Sequence, residues 1–171
     1  MFYKLSALCS VITKGTTPST VGFNFTDNGI NFIKSEQLIT QRKLNYSNKY
    51  HICADAHNAL KRSQLNEEDI LISIAGAYLG KLAIVSKTDL PANTNQAVGI
   101  IRCRKSLINP LFLFYYLSTN KMRQTISSFN AQSAQPNINL SQIGTLEINV
   151  PNMCEQNHIV NTISFLLLKS L

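Results

Sequence analysis

Hydroxyl-bearing side chains cluster beside a lysine in one short run near the start of the sequence. The run is Thr13-Lys14-Gly15-Thr16-Thr17-Pro18-Ser19-Thr20. Hydroxyls this close together next to a cation suit contact with phosphates or with the edges of nucleic-acid bases. An ordinary surface turn accounts for the same residues, because Gly15 and Pro18 are typical turn formers. A Walker A phosphate loop is excluded, since the Gly-x-x-x-x-Gly-Lys-Ser/Thr spacing is absent.

Further polar and basic side chains lie in three stretches without apolar periodicity. Arg42 and Lys43 stand among Asn and Tyr residues, which suits a DNA backbone and equally suits a solvated loop. Residues 131–138 are rich in Gln, Asn and Ser, whose side chains both donate and accept hydrogen bonds. Gln37 follows an apolar run. A glutamine can read adenine in the major groove, although a lone loop glutamine is more often simply solvated.

His51, Cys53 and His57 are the residues that most resemble a metal set. A structural zinc site requires four ligands, and no fourth ligand is evident nearby. Cys53 is therefore better explained as a small core residue. The sequence also lacks paired carboxylates near a lysine and a glycine-rich cofactor loop. We therefore predict no metal, no cofactor and no catalytic residues.

The charge of the chain favours an anionic partner. The 171 residues carry a formal charge of +7, with a pI near 9.4. Residues 1–110 hold 13 Lys/Arg against 7 Asp/Glu, a net charge of +6, whereas residues 111–171 hold 3 against 2. If a polyanion binds, we expect the first two-thirds of the chain to supply most phosphate contacts.

The hydrophobic content of 44% is sufficient for the core of one domain. The four cysteines are widely separated, no signal peptide is evident, and the longest apolar run, residues 111–117, is too short to span a bilayer. These features predict a cytoplasmic protein with reduced thiols.

Local patterns predict alternating strands and helices. A hairpin is expected over residues 70–85, with Tyr78 and Lys81 at its tip. Asn109 and Pro110 are typical of the start of a helix. The other predicted elements are strands over residues 30–33 and 146–150, a strand that reaches Arg102, one helix over residues 111–129, and a C-terminal helix over residues 155–171 with a broad apolar stripe.

The order of several short motifs resembles the target recognition domain of type I restriction–modification specificity subunits. The C-terminal part carries Gln135-Pro136-Asn137-Ile138, then Val150-Pro151, then Glu155-Gln156-Asn157-His158-Ile159. In the N-terminal part, Gly15 and Pro18 match the family's Gly-x-x-Pro loop, and Asn95-Gln96 matches an amide pair before a strand. Two positions depart from the pattern: Glu68 stands where the family has Gly, and Gln37 stands where it has an acidic residue.

This resemblance implies an α+β fold, a mixed β-sheet or β-barrel-like recognition domain with short helices. It would occupy residues 1–153, and residues 154–171 would open a spacer helix. Full-length specificity subunits carry two such halves, and each reads one half of a bipartite DNA sequence. The resemblance therefore implies sequence-specific binding of double-stranded DNA, in bacterial defence, by a non-catalytic chain that directs methyltransferase and restriction subunits. This chain would be a half-subunit, a recombinable recognition cassette or a fragment.

The implied DNA-binding residues combine cations for phosphates with hydroxyls and amides for base edges. They are Lys14, Thr16, Thr17, Ser19, Lys34, Gln37, Arg42, Lys43, Tyr78, Lys81, Asn95, Gln96, Arg102 and Gln132.

The C-terminal helix is too apolar to stand alone in water, so it needs a partner surface. That surface is either its own domain or another helix, from a second recognition half or from a second copy. Its partner-facing residues would be Ile159, Val160, Ile163, Leu166, Leu167 and Leu171. Two alternatives remain open: a protein-interaction or dimerisation module without DNA specificity, and a fragment of an enzyme that modifies nucleic acid.

Overall fold

A computed structural model describes residues 1–129 and 137–169 of the chain. Within these residues, strands and short helices alternate. The strands are β1 (Phe2–Lys4), β2 (Cys9–Lys14), β3 (Ile30–Ile33), β4 (His51–Ile52), β5 (Ile70–Ser73), β6 (Leu82–Ile84), β7 (Ala92–Thr94), β8 (Val98–Cys103) and β9 (Glu147–Asn149). The α-helices are α1 (Leu5–Leu8), α2 (Ala54–Ala59), α3 (Pro110–Leu117), α4 (Asn120–Ser128), α5 (Leu140–Gly144) and α6 (Met153–Lys169).

The central sheet has four antiparallel strands in the order β2-β8-β5-β6. Both of its faces are covered, because successive residues of β5 and β8 enter different cores. Ile70, Ile72 and Ile101 join the core beneath the helices, whereas Leu71 and Ile100 join the core on the opposite face. The hairpin predicted over residues 70–85 is confirmed as β5 and β6.

A second sheet has the order β4-β3-β7, with one antiparallel and one parallel pair. Ile33 and Ala92 from this sheet share a core with Leu71 and Ile100 of the central sheet, so the two sheets pack on each other. A two-stranded ribbon of β1 and β9 joins the N-terminus to the segment before α6. The predicted α+β class, with open mixed sheets and short helices, is confirmed.

Gly15 joins the two larger sheets where β2 ends. Its N–H donates to the carbonyl of Val98 at 3.2 Å, and the N–H of Thr16 donates to the carbonyl of Thr94 at 3.0 Å. A Cβ on Gly15 would lie 2.0 Å from the Thr94 oxygen and 2.5 Å from the Asn95 oxygen. Only glycine permits this approach, because the atoms that a side chain would meet are backbone atoms.

The prediction of one helix over residues 111–129 is wrong, because this part of the chain forms two helices. α3 ends at Leu117, where the hydroxyl of Ser118 donates to the carbonyl of Phe114 at 2.7 Å. The hydroxyl of Thr119 then accepts from the N–H of Met122 and caps α4. Side-chain hydrogen bonds of this kind compete with continuation of a helix. The predicted cap by Asn109 at the start of α3 is confirmed.

α6 begins at Met153, two residues before the predicted start, and its N-terminal end is fixed by polar contacts. Asn152 and Glu155 form a reciprocal capping pair. The amide of Gln156, which is 1% exposed, accepts from the N–H of Asn109 at 2.8 Å and donates to the carbonyl of Pro151 at 3.0 Å. The Gln of the predicted Glu-Gln motif therefore attaches α6 to the loop before α3.

Replacing Gly15 with Ala should lower the free energy of unfolding by about 3 kcal/mol or more, since the new methyl group meets fixed carbonyl groups. Urea denaturation followed by circular dichroism measures the change. Gly144→Ala is the matched control, because a Cβ there lies 3.4 Å from the Ser6 side chain, an ordinary contact. The control should shift the free energy by less than about 1 kcal/mol; equal costs for both variants would contradict the close packing at Gly15.

Candidate nucleic-acid interface

Four loops meet at one edge of the two larger sheets. Lys14 pairs with Gly99, Ser73 pairs with Val98, and Ile33 pairs with Thr94, so the loops next to these residues emerge at the same edge. We call this edge the four-loop rim; it comprises residues 14–22, 34–37, 75–81 and 95–97.

Most of the DNA-binding residues predicted from the sequence belong to the four-loop rim. They are Lys14, Thr16, Thr17, Ser19, Lys34, Gln37, Tyr78, Lys81, Asn95 and Gln96. Lys14, Ser19, Tyr78 and Gln96 are exposed, and most of the others are partly exposed. The loops come together because Gly15 packs on the backbone of Thr94 and Asn95, as described above.

Thr16, Thr17 and Gln96 form a polar cluster on the four-loop rim. The hydroxyl of Thr17 donates to the side-chain oxygen of Gln96. The guanidinium of Arg62 donates to the hydroxyl of Thr16 at 2.9 Å. These contacts fix the orientation of the exposed Gln96 amide and place an exposed arginine beside Thr16. Such an arrangement can donate hydrogen bonds to phosphate or base-edge acceptors.

Arg62, which contacts the four-loop rim through Thr16, was not predicted from the sequence. It lies in the 3₁₀ turn Lys61–Ser63 that follows α2. The signal that could have found it is the neighbouring Lys61, which makes a local pair of cations, but its proximity to Thr16 depends on tertiary packing.

The side chains of two rim residues form hydrogen bonds with the backbone of their own loops. Gln37 is 2% exposed; its side-chain oxygen accepts from the N–H of Lys34 at 2.8 Å, and its side-chain nitrogen donates to the carbonyl of Asn48 at 3.2 Å. The side-chain oxygen of Asn95 accepts from the N–H of Ala97 at 3.2 Å. Both amides therefore stabilise the backbone of their loops, which leaves Gln96 as the better placed amide for base contact.

The ammonium group of Lys34 lies over two aromatic rings beside the rim. Its Nζ is 3.5 Å from the ring centroid of Tyr50 and 4.6 Å from that of Phe25. The hydroxyl of Tyr50 donates to Glu36, and this hydrogen bond raises the pKa of the Tyr50 phenol. The attraction between the cation and the rings favours a fixed position for the Lys34 charge.

Arg102 lies away from the four-loop rim and has a partner within the chain. Its Nε and Nη2 each donate to one carboxylate oxygen of Asp69, both at 2.7 Å. The Asp69 side chain is 1% exposed. The carboxylate of Asp69 raises the pKa of the Arg102 guanidinium. An arginine held in this way stabilises the junction of β5 and β8, and its charge is already compensated.

Arg42 and Lys43 line a cleft that also contains Glu67 and Glu68. Their loop is fixed by Tyr46, whose hydroxyl donates to Asp89 at 2.7 Å. Burial and this acceptor raise the pKa of the Tyr46 phenol. Both basic residues are exposed, but nearby carboxylates oppose the approach of a polyanion.

Gln132 lies outside the described residues, as do Gln135 and Pro136 of the predicted motif. Asn137, the next residue of that motif, forms a β-bridge with Ala75, and the N–H of Ile138 donates to the carbonyl of Ile74 at 2.9 Å. The chain therefore re-enters the described structure beside the hairpin tip of the four-loop rim.

No group of three or more His, Cys, Asp or Glu side chains that could hold a metal ion is found in residues 1–129 and 137–169. Cys53 accepts from the N–H of Ala56 and caps α2, and His57 Nδ1 hydrogen-bonds Asn93. Cys53 is only partly buried and packs beside a small core cluster. All four cysteines are free thiols. In the described part of the chain, no helix has both the length and the apolar character needed to cross a membrane.

In the C-terminal helix, the residues predicted to face a partner differ in exposure. Val160 is 6% exposed and belongs to the main core. Ile159, Leu166 and Leu167 are 37%, 59% and 48% exposed, and Ile163 is partly exposed. Leu171 lies outside the described residues.

Comparison with known proteins places this fold in one family. A family model described as the type I restriction modification DNA specificity domain matches residues 1–168. The type I restriction enzyme EcoBI specificity subunit of Escherichia coli is 31% identical over 103 residues, which are 60% of this chain and 21% of that subunit.

Solved structures share the fold over nearly the whole chain. The HsdS subunit of Thermoanaerobacter tengcongensis matches with a TM-score of 0.75 at 17% identity, covering 99% of this chain and 42% of that one. The S subunit of a type I restriction–modification system of M. genitalium matches with a TM-score of 0.65 at 17% identity, covering 96% and 38%. This chain therefore spans about a fifth of the curated relative and about two-fifths of the solved subunits.

Replacing Arg102 with Met should lower the free energy of unfolding by about 3 kcal/mol, because the buried carboxylate of Asp69 would lose its counter-charge. Urea denaturation measures the loss. Lys105→Met is the control: it breaks an ion pair with Glu68 in which the two side chains are 64% and 38% exposed. That pair should contribute less than about 1 kcal/mol. Equal losses would mean that Arg102 has no special structural role.

Proposed function

The chain belongs to the type I restriction modification DNA specificity family, and from that premise we propose that it reads one half of a bipartite target in double-stranded DNA through the four-loop rim. The observation that carries the proposal is the convergence of Lys14, Lys34, Lys81 and Arg62 with rim hydroxyls and amides at one edge of the fold.

Phosphate contacts would position the chain, and base contacts would select the sequence. The four cations at the rim would neutralise phosphates and release counterions. Thr16, Thr17, Ser19 and Gln96 would contact base edges in the major groove. Because the Gln96 oxygen already accepts from Thr17, its amide nitrogen is the group that would donate to the DNA, for example to N7 of a purine.

Residues 1–153 would form the recognition domain, and α6 would open the spacer that connects it to the rest of an assembly. We infer that methyltransferase and restriction subunits carry out the reactions and that this chain contributes no catalytic group. By the same proposal, the chain would bind DNA in the cytoplasm.

The exposed apolar residues of α6 support pairing with another helix. Phe165, Leu166 and Leu168 are 56%, 59% and 73% exposed. The 17 residues of α6 give a helix about 25 Å long, which is enough for several turns of contact with a second copy or with the spacer of a second half.

The proposed function is tested by selection from a randomised duplex library at moderate salt, with the chain alone and with a type I methyltransferase subunit added. Enrichment of a motif of a few base pairs is expected. Failure to enrich any motif in either condition would contradict the proposal and favour the protein-interaction alternative.

The salt dependence of DNA binding should identify the phosphate contacts. Replacing Lys14 and Lys81 with Met should reduce the slope of log K against log salt by about 2, since each phosphate contact contributes about 0.9. Fluorescence anisotropy with a labelled duplex measures the slope. Arg42→Met with Lys43→Met removes the same charge beside Glu67 and Glu68, and its slope should change less. The reverse ranking would move the phosphate contacts to the cleft.

Replacing Leu166 with Glu should weaken self-association, because a charge would enter the proposed helix pair. Sedimentation velocity across a concentration series measures the equilibrium. Asn161→Glu adds the same charge at an exposed polar position of α6 and should leave the association unchanged. If the unmodified chain stays monomeric at all concentrations, pairing between copies of α6 is ruled out.

A further inference from the structure

A small exposed aromatic patch lies at the four-loop rim. Phe25 is 41% exposed. Phe25 packs beside Tyr50, with ring centroids 6.1 Å apart. We call Phe25 and Tyr50 the aromatic patch. Both rings support the ammonium of Lys34, and the exposed part of Phe25 has no role in the phosphate contacts proposed above.

The ring of Phe25 is held in place on its inner side. It meets the ring of Phe32 edge-on, with centroids 5.1 Å apart and an interplanar angle of 76°. Phe32 is fully buried, so it provides a fixed support. The outer side of Phe25 remains accessible to solvent. A supported ring loses little conformational entropy when it binds, which favours its use as a contact surface.

One cation and one carboxylate border the aromatic patch. The ammonium of Lys34 lies 4.6 Å from the ring centroid of Phe25, and the carboxylate of Glu36 accepts from the Tyr50 hydroxyl. The cation lies beside the exposed ring of Phe25, so this side of the patch complements a polyanion that carries a small apolar group. A protein core or a lipid interior would instead require Lys34 to lose its hydration.

The floor of the major groove presents one apolar group among the four normal bases, the 5-methyl group of thymine. Phenylalanine is among the side chains that contact this methyl group. We propose that the aromatic patch binds the 5-methyl group of a thymine in the target duplex, with Phe25 as the main contact and Lys34 at the adjacent phosphate. This inference rests on the proposed function and adds a specificity-determining site to it.

The test begins with the duplex motif selected as described above. Each thymine of the motif is replaced in turn by deoxyuridine, which removes only the methyl group, and the Kd is measured for the chain together with the methyltransferase subunit. At one position the replacement should raise the Kd about fourfold, which corresponds to the free energy of burying one methyl group. This scan uses the unmodified protein, so it does not depend on whether any variant folds.

Phe25→Ala then assigns the contact to the aromatic patch. The variant should bind the thymine duplex about fourfold more weakly and should no longer distinguish thymine from deoxyuridine at the sensitive position. Tyr3→Ala is the matched control, because Tyr3 is also 41% exposed but lies in the β1–β9 ribbon. It should keep the full discrimination. Thermal unfolding checks that both variants are folded.

Each contrary result has a distinct meaning. Sequence-specific binding without a sensitive thymine would overturn this inference and leave the proposed function in place. A sensitive thymine whose effect persists in Phe25→Ala would assign the methyl contact to another residue and would also overturn it. If no duplex binds with specificity, the proposed function fails and this inference fails with it.

Discussion

The close approach of backbone at Gly15 is the constraint on which the arrangement of the loops depends. Where β2 ends, the chain crosses the end of β7 at a distance that leaves no space for a side chain. The hydrogen bonds to Val98 and Thr94 then hold the central sheet and the β4-β3-β7 sheet together at this edge. The loops after β2, β3 and β7 therefore share one surface with the hairpin tip, and polar side chains distant in sequence become neighbours.

Arg102 and the cations at the four-loop rim have different physical roles. Arg102 is paired with a buried carboxylate at the end of the sheet away from the rim, where it stabilises the junction of β5 and β8. Lys14, Arg62 and Lys34 lie at the rim; Arg62 contacts a hydroxyl group and Lys34 lies over aromatic rings, and these contacts leave their charge available to an anion. A net charge of +7 alone does not distinguish the two groups.

Features with a strong local signal could be predicted from the sequence. The cap at Asn109, the hairpin of β5 and β6 and the strand before Pro151 each depend on neighbouring residues. Features that depend on tertiary pairing could not be predicted. Asp69 meets Arg102 because they flank the Ile70–Ile101 pair of two strands, and Arg62 reaches Thr16 across the fold. The break between α3 and α4 was missed because it depends on the hydroxyls of Ser118 and Thr119, which cap the helices through specific hydrogen bonds.

The most direct test of the account is to map the DNA-binding surface by nuclear magnetic resonance. Backbone amide shifts of the 19.1 kDa chain would be followed during titration with the selected duplex. We expect the largest changes on residues 14–22, 34–37, 75–81 and 95–97, with small changes in α6 and around Arg42. Changes concentrated on α6 or on the cleft lined by Arg42 and Glu67 would contradict the assignment of the four-loop rim as the surface that reads DNA.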